Sequence, residues 1–319
     1  MGERKRGRPV TLGLLRAIAR LPLPVLHGLG AMAGAAVDLR PNRQRQITES
    51  NLALCFPELS HRERARLRRR SLVETGKTMT ESLALWLADG ERVLTMVKGV
   101  SGKAAVDAAM AAGKGVILAG PHLGAWEMVG LYASAHWPIT SLYRPPRTAI
   151  ADAIMHSGRE RLGATLVPTD ASGVRRLLQA LRRGRMAGIL PDQDPHDPQG
   201  LFAPFFGIPA NTMSLLSRLA AKSGAPVFVV YAERLPRGGG YHMHFIPAGP
   251  EVNDPDPERS SAALNRAVEA AVRACPAQYQ WSYKRFRTRP PGEHRIYRRN
   301  GLVDRESAFA SRVPEHLTL

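Results

Sequence analysis

Apolar and polar positions divide the chain into two textures. Up to about residue 90 the apolar residues recur at helical spacing; from about residue 100 short apolar runs alternate with amphipathic stretches. In the first part, residues 43–54 read as a helix ending at Cys55-Phe56-Pro57-Glu58. Ser60 and Glu63 form an S-x-x-E capping box that opens a long helix to about Trp86. Its first turns are basic (Arg62, Arg64, Arg66, Arg68, Arg69, Arg70), and its second half carries Leu72, Met79, Leu83, Leu85 and Trp86. In the second part the pattern predicts helices over 101–112, 149–162, 172–183, 212–223 and 257–274. It predicts strands over 115–119, 139–143, 165–167, 186–190 and 226–233, with 241–246 pairing with the last as a hairpin. Strands alternating with helices give an α/β fold, a central mixed sheet flanked by helices, with the helical N-terminal region appended to it.

Residues 10–37 form a long apolar stretch. Only 21–37 is free of charge, and it contains Pro22, Pro24, His27 and three glycines, so it is a poor membrane span. Arg16 and Arg20 share one helical face, with Leu14, Leu15, Ile18 and Leu21 on the other. This is the pattern of a basic amphipathic helix in a membrane interface, and an ordinary buried first helix has the same periodicity. The two arginines interrupt the apolar region that a secretory signal peptide needs. The chain therefore divides into a membrane-associating segment (1–40), a main domain (41–298: helical over 41–90, α/β over 91–298) and a polar tail (299–319).

Composition adds little until charge is considered. With 319 residues, 44% hydrophobic and 23% charged, the chain is ordinary globular protein. Cys55 and Cys275 are far apart and form neither a disulfide framework nor a zinc-finger pattern. The net charge, however, is +18, and it is localised. Residues 1–70 hold 15 basic and 5 acidic side chains, and residues 281–299 hold 7 and 1. Such segments imply a polyanionic partner: nucleic acid, an anionic membrane surface or a phosphorylated substrate. Residues 61–70 contain no aromatics and match no nucleic-acid reading module, although 279–299 does interleave aromatic and basic residues.

Ligands of open α/β sheets sit beyond the carboxyl ends of strands. Strand 115–119 is followed by Gly120-Pro121-His122, with Glu127 five residues on, around the start of a helix. A histidine with a carboxylate behind it is a minimal general-base dyad. A locally satisfied histidine and an exposed glutamate give the same spacing. The next strand end, Pro191-Asp192-Gln193-Asp194-Pro195-His196, reads either as a metal site or as turn residues. The stretch Phe202–Gly207 is apolar and aromatic in an expected loop, which suggests either an apolar ligand, with Phe205 and Phe206 lining its channel, or packing over the core. Arg144 and Arg159 lie near other strand ends, where arginine can bind phosphate.

Together these pieces resemble the late acyltransferases of lipid A biosynthesis, within the wider H-x4-D/E group of glycerolipid acyltransferases. The resemblance is carried in order by Asn51-Leu52, Phe56-Pro57-Glu58, His122-x4-Glu127 and Tyr143-Arg144-Pro145. It continues through Arg159, Gly163-Ala164, Pro191-Asp192-Gln193-Asp194, Pro204-Phe205-Phe206-Gly207 and Thr212. It ends with Gln278-Tyr279-Gln280-Trp281, Lys284-Arg285-Phe286, Arg289-Pro290 and Tyr297. It implies transfer of a fatty acyl group from acyl carrier protein to a hydroxyacyl hydroxyl of a lipid A precursor, at the cytoplasmic face of the inner membrane of a Gram-negative bacterium. It further implies His122 as base, Glu127 orienting it, Arg159 binding or stabilising charge, and Asp192 and Asp194 building the site, with no metal or cofactor and no nucleic-acid partner. Two other readings are an acyltransferase acting on a lysophospholipid or glycolipid, and a metal-dependent hydrolase using His122, Glu127, Asp192, Asp194 and His196.

Overall fold

Val116–Ala119 (β2) and Met186–Ile189 (β5) contain no charged residue and are almost wholly buried, as strands covered on both faces must be. They lie at the centre of a seven-stranded sheet. In the computed structural model, which describes residue 13 and residues 15–196, 200–293 and 295–297, the sheet order is β1-β9-β8-β2-β5-β3-β4. The other strands are Val97–Ser101 (β1), Ile139–Tyr143 (β3), Thr165–Pro168 (β4), Val227–Arg234 (β8) and Tyr241–Pro247 (β9). All neighbours are parallel except β8 and β9, which pair antiparallel. The mixed sheet and the 226–246 hairpin expected from the pattern are therefore present.

Alternation along the strands builds two cores. Ile117, Ala119, Ala187, Ile189 and Val229 face one way, into a core with helices Ala171–Arg182 (α8), Leu215–Ser223 (α9) and Pro257–Ala274 (α10). Val116, Leu118, Met186, Phe228 and Val230 face the other way, against Lys103–Ala111 (α5) and Trp126–His136 (α6). Helix Ala149–Glu160 (α7) leads into β4. Two elements differ from the expected pattern. Strand β1 is polar and largely exposed at the sheet edge, so it carries no apolar signal. Residues 201–212, expected as a loop running into a helix, form the antiparallel hairpin Leu201–Phe205 (β6) and Ile208–Thr212 (β7); Thr212 pairs with Leu201, which delays the helix to Leu215.

The helical region comprises Leu23–Leu39 (α1), Arg43–Cys55 (α2), His61–Leu87 (α3) and the short Gly90–Leu94 (α4). The capping box at Ser60 and Glu63 is formed. Helix α1 lies against α3 at glycines: a Cβ at Gly30 would stand 2.6 Å from the Gly76 carbonyl oxygen. Beside this contact, buried Glu81 of α3 accepts hydrogen bonds from Arg234 of β8 and Tyr241 of β9 and pairs with His27 of α1 at 2.8 Å. Among the described residues no helix is long and apolar enough to cross a membrane. Residues 1–12 and Leu14 of the expected membrane-associating segment, and the tail beyond residue 297, lie outside the described residues.

Candidate active site

Strands β2 and β5 run parallel in a register that places Ala119 opposite Ile189. Continuing three residues past each brings His122 opposite Asp192. The Nδ1 of His122 lies 2.8 Å from Asp192 Oδ1, and the His122 backbone N–H donates to Oδ2 at 2.9 Å. Asp192 is buried, which alone would raise its pKa. The adjoining imidazole and its hydrogen bonds outweigh burial and hold the carboxyl below the ordinary range. An ionised Asp192 accepts the Nδ1 proton, so Nε2 carries the free lone pair. That nitrogen stands 3.1 Å from the amide Nε2 of Gln193, which can only donate. The ring also packs against Trp126, centroid to centroid 5.1 Å.

The loop that carries His122 is held on all sides. Gly120 N–H donates to the Ile189 carbonyl, and Gln280 N–H donates to that of His122. Gly124 adopts φ +63°, and any Cβ there would run into the Ala232 carbonyl. Arg234 donates from Nη2 to the Gly124 carbonyl at 3.0 Å. Thus the buried Glu81–Arg234 pair also fixes the turn two residues after His122.

Glu127, expected behind His122, is not there. It begins α6, whose first turn aims it at α7, where Arg159 holds it through Nε at 2.9 Å and Nη2 at 2.5 Å. Burial would weaken the charge of Arg159, but Glu127 more than restores it and raises its pKa. The i+5 spacing carries Glu127 into the helix, whereas strand pairing brings Asp192 to the imidazole. The carboxylate hydrogen-bonded to the imidazole is Asp192, while Glu127, expected there, pairs with Arg159.

The Glu127–Arg159 pair borders a narrow apolar cleft. Its floor is one row across the sheet, Leu118, Gly188, Ser141 and Leu166, neighbours in register on β2, β5, β3 and β4. Trp126 and Gly130 of α6 contribute to its walls. A Cβ at Gly130 would have no neighbour within 4 Å.

A family model for bacterial lipid A biosynthesis acyltransferases matches residues 8–288, which takes in both strand ends and the cleft. The chain belongs to this family. Its relatives include the lipid A biosynthesis lauroyltransferase of Escherichia coli K12, 29% identical over 284 residues, covering 88% of this chain and 91% of the relative. The palmitoleoyltransferase of the same organism is 30% identical over 290 residues (90% and 92%), and its myristoyltransferase 27% over 286 (88% and 85%).

Within this lipid A acyltransferase fold the remaining predicted residues are not brought to the histidine. Asp194 is buried and accepts from the backbone N–H and hydroxyl of Thr288, the backbone N–H of His196 and the amide of Asn211, so it anchors the C-terminal segment to β7. Phe205 and Phe206 lie outside the cleft; they pack with Phe56, Tyr279, Trp281 and Phe286 in the core, because the hairpin turns them inward. Arg144 is exposed just past β3 and lines no part of the cleft. Among the described residues no three His, Cys, Asp or Glu side chains converge as metal ligands would. Gln193 and Trp126 touch the imidazole yet had no assigned role; only their positions beside Asp192 and Glu127 marked them. Arg234, which braces the loop, carries no sequence signal, and Gln278, whose carbonyl accepts from Gly124 N–H, is marked only by the Gln278–Trp281 motif.

Proposed function

We propose that this lipid A acyltransferase moves a fatty acyl chain from acyl carrier protein to a hydroxyacyl hydroxyl of a lipid A precursor, with His122 as general base and Asp192 as its orienting carboxylate. The observation that carries this reading is the His122–Asp192 pair at adjoining strand ends, its imidazole packed against Trp126, which lines the apolar cleft. The acceptor hydroxyl displaces the Gln193 amide from Nε2, which takes its proton as the oxygen attacks the thioester carbonyl. Asp192 stabilises the imidazolium that results. The carbon–sulfur bond then breaks, the leaving sulfur takes the proton from His122, and the acyl group remains as an ester. A thioester is already activated, so positioning and base catalysis suffice.

The cleft suits the alkyl chain of the donor. Arg159 spends Nε and Nη2 on Glu127, which leaves Nη1 for the thioester oxygen as charge develops on it. Membrane contact is part of the proposal. Val25, Leu29 and Met32 stand exposed on the outer side of α1 at i, i+4 and i+7, the spacing of one helical face. The +18 charge favours an anionic leaflet, which supports a position at the cytoplasmic face of the inner membrane.

The test is acyl transfer by the purified enzyme on membranes, using acyl carrier protein loaded with labelled C10 to C16 chains and a tetra-acylated lipid A precursor. Labelled penta-acylated product from the parent and none from His122→Ala is the expected result. Transfer only to a lysophospholipid would move the function to another lipid acceptor, and no transfer to any lipid would overturn the reading.

A further inference from the structure

Trp126 has a second side. Opposite the apolar cleft it borders a cavity of about 440 Å³ between α3 and residues 278–282, within the range of small-ligand sites. Its lining is of another kind: among the described residues Gln44, Gln280 and Ser282 make no side-chain hydrogen bond, and Thr75 donates its proton to the Ser71 carbonyl. Trp86 forms part of the wall. Aromatic faces beside unspent amides and hydroxyls suit a ligand with apolar ring faces and hydroxyls at the edges, which is a sugar.

Charge lies on the same two segments. Arg43 adjoins Gln44, and Lys284 and Arg287 follow Ser282. None of the three takes part in a described ion pair. Lys284 lies over the Tyr297 ring at 5.3 Å and Arg287 stands 3.4 Å from His196 Nε2; burial and the neighbouring charges of Arg43 and Arg287 lower the pKa of Lys284, and the cluster stays positive. A phosphate would relieve that repulsion and use the donors.

We propose that this cavity binds the phosphorylated sugar head of the acceptor, with Gln44, Gln280, Ser282 and Trp86 on the sugar and the Arg43–Lys284–Arg287 cluster on a phosphate. The inference rests on the acyltransferase reading for the identity of its ligand. Trp126 then divides the site: donor chain on the apolar side, acceptor head on the polar side, and the His122 ring against it where the two meet.

The test uses full-length enzyme and a soluble probe, glucosamine disaccharide 1,4′-bisphosphate without acyl chains, followed by tryptophan fluorescence. Comparators are the dephosphorylated disaccharide, inorganic phosphate and glycerol 3-phosphate. The expected result is saturable quenching by the bisphosphate, at least tenfold weaker in Lys284→Ala/Arg287→Ala, with circular dichroism unchanged. Gln280→Ala weakens the disaccharide bisphosphate and leaves inorganic phosphate unaffected. Equal affinity for glycerol 3-phosphate and the disaccharide would reduce the site to an anion or phospholipid-headgroup site and overturn the sugar assignment. No saturable quenching, or quenching that the variants do not alter, would overturn the whole proposal. Acyl transfer with unchanged acceptor KM in both variants would refute this inference while leaving the transfer reaction standing. Absence of transfer in the parent enzyme would refute the reaction itself.

Discussion

His122 depends on neighbours that act by position. Asp192→Asn keeps the shape of the carboxylate but no longer favours the imidazolium, and it can donate to Nδ1 and so turn the tautomer round. We expect kcat to fall about 10⁴-fold with KM for both substrates nearly unchanged, in the range of other base-orienting carboxylates. Glu127→Gln leaves the His122–Asp192 contact intact and loosens Arg159. Its effect should fall on the donor side, as a weaker discrimination among acyl thioesters, measured as kcat/KM across chain lengths. Gly130 lines the cleft where a side chain would meet open space. Gly130→Leu should fill that space and lower kcat/KM for a C14 donor at least tenfold more than for C10, because each excluded methylene forfeits about 0.8 kcal/mol of burial. Unchanged chain-length preference in this variant would remove the donor from the cleft.

Elements transmit these positions. The register of β2 on β5 delivers the His122–Asp192 pair, and the Glu81–Arg234–His27 cluster joins α1, α3 and β8 behind the His122 loop. Burial disfavours the charged form of Glu81, but Arg234 and His27 outweigh it and hold the carboxyl at about 2, against an ordinary 4.5. Such a group binds its proton more readily in the unfolded chain. Its contribution is thus complete above pH 4.5 and is lost as the pH falls toward 2. Thermal unfolding should show Tm dropping through this window, and Glu81→Gln should lower Tm at neutral pH while flattening the acid dependence. The α1–α3 contact has its own test. A side chain at Gly76 has no room against α1, so Gly76→Val should cost about 2 kcal/mol or more, seen as a lower denaturant midpoint.

How far the sequence could be read follows from where each signal lies. The buried strands, the capping box and the 226–246 hairpin are local patterns, and all three were legible. The strand-end position of His122 was legible because it follows a Gly-Pro strand exit. Its partner was not: Glu127 is near in sequence, whereas Asp192 is near only through strand register, which one chain read linearly does not display. Phe205 and Phe206 illustrate the same gap, since aromatics of a channel and aromatics of a core have the same composition. The hairpin at 201–212 was hidden by Pro204, Gly207 and Pro209, residues that ordinarily mark a loop.

Taken whole, the protein carries its charge and its exposed apolar residues unevenly. Positive charge gathers in residues 1–70 and 281–299, and the exposed apolar ridge of α1 lies within the first of these. Attraction to an anionic membrane should therefore combine a salt-sensitive part with an apolar part. In vesicle co-sedimentation, binding should be stronger to anionic than to neutral lipid and weaken with added salt. Replacing Val25, Leu29 and Met32 by serine should reduce binding about tenfold at constant salt while leaving Tm unchanged. Equal binding by the serine variant would remove α1 from the membrane contact.

The most direct measurement is single-turnover transfer from labelled acyl carrier protein to the tetra-acylated lipid A precursor, with both substrates saturating, comparing the parent with Asp192→Asn across pH 5 to 9. A rate reduced about 10⁴-fold in Asp192→Asn, with no transfer detected in His122→Ala, is the predicted result. A full rate in Asp192→Asn alongside a dead Glu127→Gln would contradict it and return the orienting role to the residue five places after the histidine.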